Sequence, residues 1–587
     1  MIDLKLLWKQ RIFEALEKYR ISLGGISPKI ELEAIVMESP PKPELGDIGF
    51  PMFGFSKTFR KNPAQIASDI EGLLKAEHGG GKEGSAAAAG PYLNIFFHRA
   101  DIAERMLRRG KEPDWHDHLP LAGRKVMVEF SCPNTNKPLH LGHLRNNVLG
   151  ESISRILASA GAEVRKVNLI NDRGVHICKS MLAYQTYGGG RKPEDEGLKS
   201  DHFVGKYYVL FNTLKAEDPK AEERAQDLLR RWESGDPEVL SLWRTMNAWA
   251  VDGIKATYRR QGIDFDAYYF ESLTYTKGVA EIMQGLAKGI FYKEEDGSTW
   301  VDLEDIGLDK KVLLRKDGTS LYITQDIGTA IYRHGDWPFD QLVYVVASEQ
   351  QYHFRVLFEI LRRLGYPWAS NLYHLAYGLV NLPSGRMKTR EGTVVDADDL
   401  MDELAALALK EIEEKGRDES VGDAAKVAED VALGALHYYL LQTSPTKDML
   451  YDPEQSLSFT GNTGPYLQYM GARASSILRK AQEGKGRSAA GEERPELLAN
   501  AADWALVRRL AAFTEALEAA ARNMEPSLMA SYAHDLAADF SSWYRDNPVL
   551  NAEDPDLSAS RIALVAAVKA TLHKVCQLLC VPFLELM

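Results

Sequence analysis

The chain is 587 residues long, more than one hydrophobic core usually organises, so about two to four domains are expected. Its 45% hydrophobic and 26% charged residues are those of an ordinary globular protein. A net charge of −12 excludes a chain that is basic throughout, so any contact with nucleic acid must come from local cationic patches, where phosphates are neutralised.

The first residues, "MIDLKLLWKQ", carry charges among their apolar side chains and do not read as a signal peptide. Leu6 to Tyr19 has helical periodicity. A Gly/Ala-rich break, "HGGGKEGSAAAAG", follows, and then a short apolar strand, "YLNIFF". Residues 1–115 are therefore expected to form a small α+β domain, closed by the linker "KEPDWHDHLPLAG". Two basic runs within it, "KTFRK" (Lys57 to Lys61) and "RMLRRGK" (Arg105 to Lys111), read either as patches for a nucleic-acid backbone or as solvated faces.

From Lys125 the pattern changes. "KVMVEF" suits a buried strand and is ended by Ser131, Cys132, Pro133 and Asn134. Leu141, Leu144, Val148, Ile156 and Leu157 fall near helical spacing, with Gly161 as the stop, and "VRKVNLI" follows as a second strand. This is a βαβ unit, and ligands bind at the carboxyl edge of the open sheets such units build. Residues from about 200 to 262 are charged and helical and read as an insertion, bounded at about 185–300. "STWVDL", "LYIT" and "QLVYVVAS" restore the sheet pattern, and "RMKTREGTVV" is a basic loop ahead of a helix from near Asp398. The α/β domain is placed at 116–420 and an all-α bundle at 421–587, where sequences such as "DWALVRRLAAFTEALEAAARNM" are helix-like almost throughout. No apolar stretch nears the roughly 20 residues that span a bilayer. Cys132, Cys178, Cys576 and Cys580 lack paired zinc spacing, so no metal site is expected, and the setting reads as cytoplasmic and reducing.

The stretch "CPNTNKPLHLGHLRNN", Cys132 to Asn147, sets His140, Gly142 and His143 at the mouth of the first α/β helix. One reading is capping and packing, for which histidine is an unusual choice beside Ser, Thr, Asp or Asn. The other is an anion site, since imidazoles and free backbone N–H groups meet there at the positive end of a helix dipole. Gly142 would also let a flat base approach the backbone. Placement between a buried strand and a helix favours the anion.

"VEFSCPNTNKPLHLGHLRNNVLGESISRIL" resembles the HIGH signature of class I aminoacyl-tRNA synthetases, in its arginyl-tRNA synthetase form. The likeness continues in family order through "NLINDRGVHICKSM", "SDHFVGKYYV", "LYITQDIGTAIYR", "EQQYHF", "RMKTREGTVV" and "GNTGPYLQYMGARASSIL". It is looser in "ELGDIGFPMF" and "GPYLNIFF". The resemblance implies a multidomain α/β protein: a Rossmann-like parallel-sheet catalytic domain with a helical insertion, flanked by a small N-terminal α+β domain and a C-terminal all-α bundle that binds the anticodon. It implies ATP-dependent activation of L-arginine to arginyl-adenylate and transfer to tRNA(Arg), releasing AMP and pyrophosphate. ATP with Mg2+ is the expected cofactor, activation is expected to need tRNA, and the chain is expected to act as a monomer without membrane contact.

By resemblance, His140, Gly142 and His143 bind ATP together with Arg386, Met387 and Lys388, and the catalytic set is His140, His143, Lys137, Lys388 and Arg390. The chemistry suits them, because attack on an α-phosphate builds negative charge that positioned donors stabilise. The arginine-contacting positions are Glu129, Asn134, Tyr322, Asp326 and Gln350. A guanidinium has five donors and no acceptor, so Asp326 is assigned to it, Glu129 to the α-amino group, and the neutral groups complete the bonding. Tyr322 and Asp326, four apart, share a face where a helix starts. In the bundle, Tyr466, Gln468, Tyr469 and Arg473 are the tRNA-binding candidates, residue types that stack bases and meet phosphates.

Four positions depart from the family pattern. Ile48 and Pro51 stand in "GDIGFP" where an aromatic residue and an asparagine commonly read a D-loop base. Gln325 replaces an arginine, and Thr389 replaces the second lysine of the basic loop, which leaves Lys137 and Lys388 as rival sources of that charge. A small-molecule nucleotidylyltransferase is the alternative from the same chemistry, but it leaves the helical C-terminal third unexplained. Intact His140, Gly142 and His143 argue against a silent tRNA-binding relative.

Overall fold

The computed structural model describes every residue except 1, 26–27, 39, 79–82, 113–118, 382–394, 415–421, 485–490 and 553. Helix α1 (Ile2–Ser22) buries Trp8, Ile12 and Leu16 toward a sheet of β1 (Ile48–Pro51), β2 (Ser85–Ala89) and β3 (Tyr92–Phe96), with β3 in the centre. Helices α2 (Ser56–Phe59), α3 (Pro63–His78) and α4 (Arg99–Arg109) complete this unit. The alanine run expected as a break is β2 itself, where Ala86 to Ala88 pair with Ile95 to Leu93. Pairing to a buried strand here overrides alanine's weak strand preference.

From β4 (Lys125–Glu129) the chain runs through α5 (Leu141–Ser159) to β5 (Glu163–Ile170). A helical excursion of α6 (Val175–Tyr187), α7 (Ser200–Glu217), α8 (Ala221–Glu233) and α9 (Pro237–Gln261) has its own apolar core and returns as β6 (Ala267–Phe270). Next come α10 (Glu271–Thr274), α11 (Lys277–Ala287) and a small antiparallel sheet of β7 (Tyr292–Lys293), β8 (Thr299–Val301) and β9 (Lys311–Leu314). Helix α12 (Tyr322–Asp336) leads to β10 (Gln341–Ala347), and α13 (Gln351–Arg363) to β11 (Leu372–Tyr377).

The main sheet has five parallel strands in the order β11–β10–β4–β5–β6. Strand β4 is central, which is why it reads as an unbroken apolar run. Side-chain alternation sends Val126, Val128 and Phe130 to the core shared with α5, and Met127 with Glu129 to the face covered by α12. Three expectations are corrected. "STWVDL" supplies β8 of the separate antiparallel sheet, and "LYIT" opens α12, since Ile323, Thr324 and Ile327 are buried at helical spacing. The insertion expected at about 185–300 also straddles β6, which belongs to the main sheet.

After β11, β12 (Val380–Asn381) pairs with β13 (Met449–Leu450), which follows α14 (Ala397–Glu414) and α15 (Ala424–Leu441). The remaining helices are α16 (Pro453–Ser456), α17 (Gly464–Gln482), α18 (Ala501–Ala511), α19 (Phe513–Asn523), α20 (Pro526–Asp546) and α21 (Pro555–Leu578). The N-terminal unit docks on them: Arg109 donates to Leu510 O at 2.6 Å, and Lys5 pairs with Glu515 at 2.7 Å. Among the described residues, no helix is long and apolar enough to cross a membrane.

Helix α5 is the centrepiece, buried against the sheet on one side and the bundle on the other. Its Arg145 is fully buried and donates to four backbone carbonyls, of Gly378 (2.6 Å), Leu379 (3.3 Å), Pro445 (3.2 Å) and Lys447 (2.9 Å). Gly150 lets α5 lie on β4, because a Cβ there would come within 2.1 Å of the Phe130 ring. Gly150→Ala should therefore lower the thermal unfolding midpoint through overpacking, at a cost of about 1–3 kcal/mol. A midpoint equal to wild type would show that Phe130 moves aside freely.

Candidate active site

The first turn of α5 lies at the carboxyl edge of β4, and His140 is its N-cap, with extended backbone (φ −135°, ψ 173°). Gly142 N–H donates to His140 Nδ1 at 3.1 Å, and His140 N–H donates to His143 Nδ1 at 3.2 Å. The histidines form a reciprocal capping box, with imidazoles where a hydroxyl and a carboxylate usually serve. The capping reading, set against anion binding in the sequence, is thus present in the structure, and it leaves the second nitrogen of each ring outside the cap. An accepting Nδ1 places the proton of a neutral ring on Nε2, so each ring keeps one N–H to offer. Burial, with Lys137 nearby, lowers His140 to about 4; burial, His140 and Lys137 hold His143 well below the usual histidine value. At pH 7 both rings are neutral donors. A Cβ at Gly142 would approach His140 Cε1 to 3.0 Å, so the glycine makes room for that ring as well as for any ligand.

The loop feeding this turn is bent by two non-glycine residues in left-handed backbone, Ser131 (φ 73°) and Cys132 (φ 48°), a conformation that needs outside support. Ser131 N–H donates to Asn146 Oδ1 at 2.5 Å and Cys132 N–H to Asn168 Oδ1 at 3.1 Å, so α5 and β5 supply it. Lys137, half-buried, has no hydrogen bond or ion pair to another described residue. Arg386, Met387, Lys388, Thr389 and Arg390 lie outside the described residues. The chain on either side is fixed: Asn381 pairs with Leu450, while Leu141 N–H donates to Val395 O (3.0 Å) and Ala397 N–H to Leu139 O (3.1 Å).

The expected arginine contacts gather at the same sheet edge. Glu129, last in β4, is buried and ion-paired with Arg333 of α12; burial raises its carboxyl despite that partner. Glu129 is thus already held by one cation, and an amino group there would have to share it with Arg333. Asp326 is half-buried in the first turns of α12, with His353 Nε2 2.6 Å from its Oδ2. Tyr322 begins α12 and is 75% exposed, Gln350 is exposed just beyond β10, and Asn134 is exposed on the loop after β4.

One residue that reading the sequence missed stands out. Glu271, at the carboxyl end of β6, is raised to about 7 by burial, Asp172 and Asp326, with Arg173 opposing. It is held in place because Ser272 donates to Asp172 through both N–H (2.9 Å) and O–H (2.7 Å). Arg173 is itself engaged by Glu233 at 2.7 Å. Asp172, Glu271 and Asp326 thus interact at this edge, and the Arg173 that opposes them is shared with Glu233.

A second acidic group, Asp201, His202 and Asp398, has metal-like spacing. Lys199 Nζ, however, lies 3.0 Å from Asp201 and 2.7 Å from Asp398, so an ammonium already fills the cation's place. The cluster does not fit a magnesium ion; it ties α7 to the start of α14.

In the bundle, Tyr466 and Tyr469 are half-buried on α17, and Arg473 lies over the rings of Tyr469 (5.1 Å) and Tyr544 (5.8 Å). Gln468 is corrected: it is fully buried, its amide donating to Asp430 O (2.8 Å) and Pro582 O (2.9 Å), with no surface left for tRNA. In the run from Arg105 to Lys111, Arg109 is buried against Leu510 and Lys111 pairs with Glu493 at 2.6 Å, which leaves Arg105 and Arg108 as its remaining exposed cations. Ile48 is buried opposite Ile95 and cannot reach a base.

Comparison with known proteins bears on all three parts of the chain. Residues 117–452 match the catalytic domain of class I tRNA synthetases (R), 467–587 the DALR anticodon binding domain, and 7–97 the arginyl tRNA synthetase N terminal domain. The chain is 55% identical over 597 residues to the arginine–tRNA ligase of Treponema denticola and 53% identical over 590 residues to that of Treponema pallidum, covering 100% of each protein. Thermus thermophilus arginyl-tRNA synthetase superimposes with a TM-score of 0.79 at 27% identity, over 99% of both chains.

The lowered histidines have a direct consequence. A neutral His140 destabilises the fold on acidification, because the unfolded ring takes its proton near 6.5 and the folded one near 4, whereas Glu271, raised to about 7, acts in the opposite sense. Global stability blends the two, so the ring itself should be observed. In ring-labelled protein, NMR should show His140 neutral, with the proton on Nε2, from pH 8 down to about 5. Titration of that ring near 6.5 would contradict the capping geometry.

Proposed function

The chain belongs to the class I arginyl-tRNA synthetase family, and from that membership we propose how its side chains divide the work of an arginine–tRNA ligase. The reaction activates L-arginine with ATP to arginyl-adenylate and transfers it to tRNA(Arg), releasing AMP and pyrophosphate. The observation that carries the residue assignment is the acidic cluster at the carboxyl edge of the sheet, where burial, Asp172 and Asp326 raise Glu271 to about 7 against Arg173, so that a guanidinium arriving there would favour its charged form.

Asp326 and Glu271 take the guanidinium, and the Tyr322 hydroxyl and Gln350 amide line the mouth. Glu129, shared with Arg333, accepts the α-ammonium alongside Asn134. The carboxylate of arginine then faces the first turn of α5. There the Nε2–H groups of His140 and His143, neutral and preset by their Nδ1 caps, donate to the phosphoryl oxygens as charge grows on them. Lys137 adds the one full positive charge on this loop, with Lys388 and Arg390 as partners on the basic loop and Arg386 and Met387 beside the nucleotide. Magnesium enters as the counter-ion of ATP, part of the substrate. Tyr466, Tyr469 and Arg473, joined by Tyr544, meet the anticodon loop by stacking and phosphate contact. The reading includes a monomer in the cytoplasm, a compartment in which four unpaired cysteines persist.

Two experiments test this division. Glu271→Gln should raise KM for arginine about 10- to 100-fold, the scale of one charged hydrogen bond, and leave KM for ATP unchanged. In wild type, arginine KM should climb as pH falls below about 7, because Glu271 then takes up its proton and loses the charge; the variant should lose that dependence. Equal pH profiles for the two proteins would remove Glu271 from the pocket.

Lys137→Ala should lower kcat for adenylate formation about 10²- to 10³-fold and barely move arginine KM, as expected for a donor that meets transition-state charge. Single-turnover measurement of Lys137→Ala beside Lys388→Ala decides between the rivals. A large defect in the Lys388 variant alone gives the role to the basic loop.

A further inference from the structure

We propose that His353 is a positioning residue for arginine recognition: its Nε2–H donates to Asp326 and turns the open edge of that carboxylate toward the guanidinium. The inference rests on reading Asp326 as the guanidinium's partner.

The carboxylate of Asp326 faces a geometric problem. Its terminal torsion is broad and two-fold, so a half-exposed aspartate on a helix has no preferred plane. A guanidinium fork binds best when two N–H groups meet two coplanar oxygens. Something outside α12 has to set the plane, and His353, on α13, reaches Asp326 Oδ2 at 2.6 Å, the length of a charge-assisted bond.

His353 is in turn held by its surroundings. Its ring stands edge-on to Phe354, with centroids 5.8 Å apart at 88°. Phe354 packs against His374 of β11 at 4.4 Å, and His374 Nε2 donates to Val346 O of β10 at 2.9 Å. The orientation of Asp326 is thereby referred back to the parallel sheet rather than to solvent.

The residue type suits the task. An ionised carboxylate has about four acceptor positions, and His353 occupies one on Oδ2. Oδ1 and the remaining lone pair of Oδ2 stay open for two parallel N–H groups. An imidazole offers Asp326 one short, planar donor, whereas an arginine there would bring its own fork of donors and occupy both oxygens that the substrate needs.

The test is a double-mutant cycle in tRNA aminoacylation, with KM for arginine and for ATP measured separately and thermal unfolding followed for each variant. His353→Ala should raise arginine KM about 10- to 100-fold with ATP KM unchanged, and His353→Gln, which keeps an N–H donor, should recover most of the loss. Adding His353→Ala to Asp326→Asn should cost little more than Asp326→Asn alone, as for two residues acting through one contact. If Asp326→Asn impairs arginine KM and His353→Ala does not, or if the two effects add, the positioning role is overturned. Equal losses in the Ala and Gln variants, with ATP KM rising too, would mark a packing role and overturn it as well. An unchanged arginine KM in Asp326→Asn would instead overturn the assignment of Asp326, and this inference with it.

Discussion

The active site depends on how the first backbone N–H groups of α5 are satisfied. A helix start leaves such donors without partners, and at this buried position water is a poor substitute. Two imidazoles accept them through Nδ1. That one choice settles the ring orientations, the tautomer and, with burial, the neutral charge state. It also keeps Nε2–H free at the positive end of the helix dipole. A serine or aspartate would cap the turn equally well, but would leave no N–H to present to an anion.

Because the cap is preset, the rest of the molecule is arranged to keep α5 still. Arg145, two residues past His143, gathers carbonyls from the end of β11 and from the stretch entering β13, so the sheet and the bundle meet on one guanidinium. Burying a charge this deeply is tolerable because its carbonyl partners supply the solvation that water otherwise would. Further along, Ser152 donates to Leu578 O at 2.7 Å, tying the same helix to α21. Positive charge is thus committed to architecture at Arg145 and Arg333, while Asp172, Glu271 and Asp326 interact at the sheet edge.

What was legible in the sequence follows the range of the interactions involved. Strand β4 and the start of α5 were readable because an apolar run, a turn and a helical period lie within a few residues of each other. "LYIT" misled because three apolar residues in four fit either period, and only the burial of Ile327 decides for a helix. Glu271 was invisible because its significance lies in a meeting with Asp326 across the sheet edge, and "YYFES" holds no pattern that announces it. Gln468 was the avoidable error: it falls on the same helical face as Gly464 and Gly471, and glycines mark where another backbone comes close. A Cβ at Gly434 of α15 would indeed meet its amide at 2.6 Å.

The same distinction explains how the helical excursion reaches the chemistry. Lys199 and Asp201 open α7, and Thr257 of α9 joins them on Asp398. His202 also faces Asp398 at 3.2 Å and Asp396 at 3.5 Å; although burial works against it, these acids hold its pKa above the ordinary value. Asp396 in turn forms a backbone bridge with His140. A movement of the excursion relative to α14 would therefore strain the segment that abuts the capping histidine, not a remote surface. The His140 cap is held from two sides, through Arg145 by the bundle and through this ionic knot by the excursion.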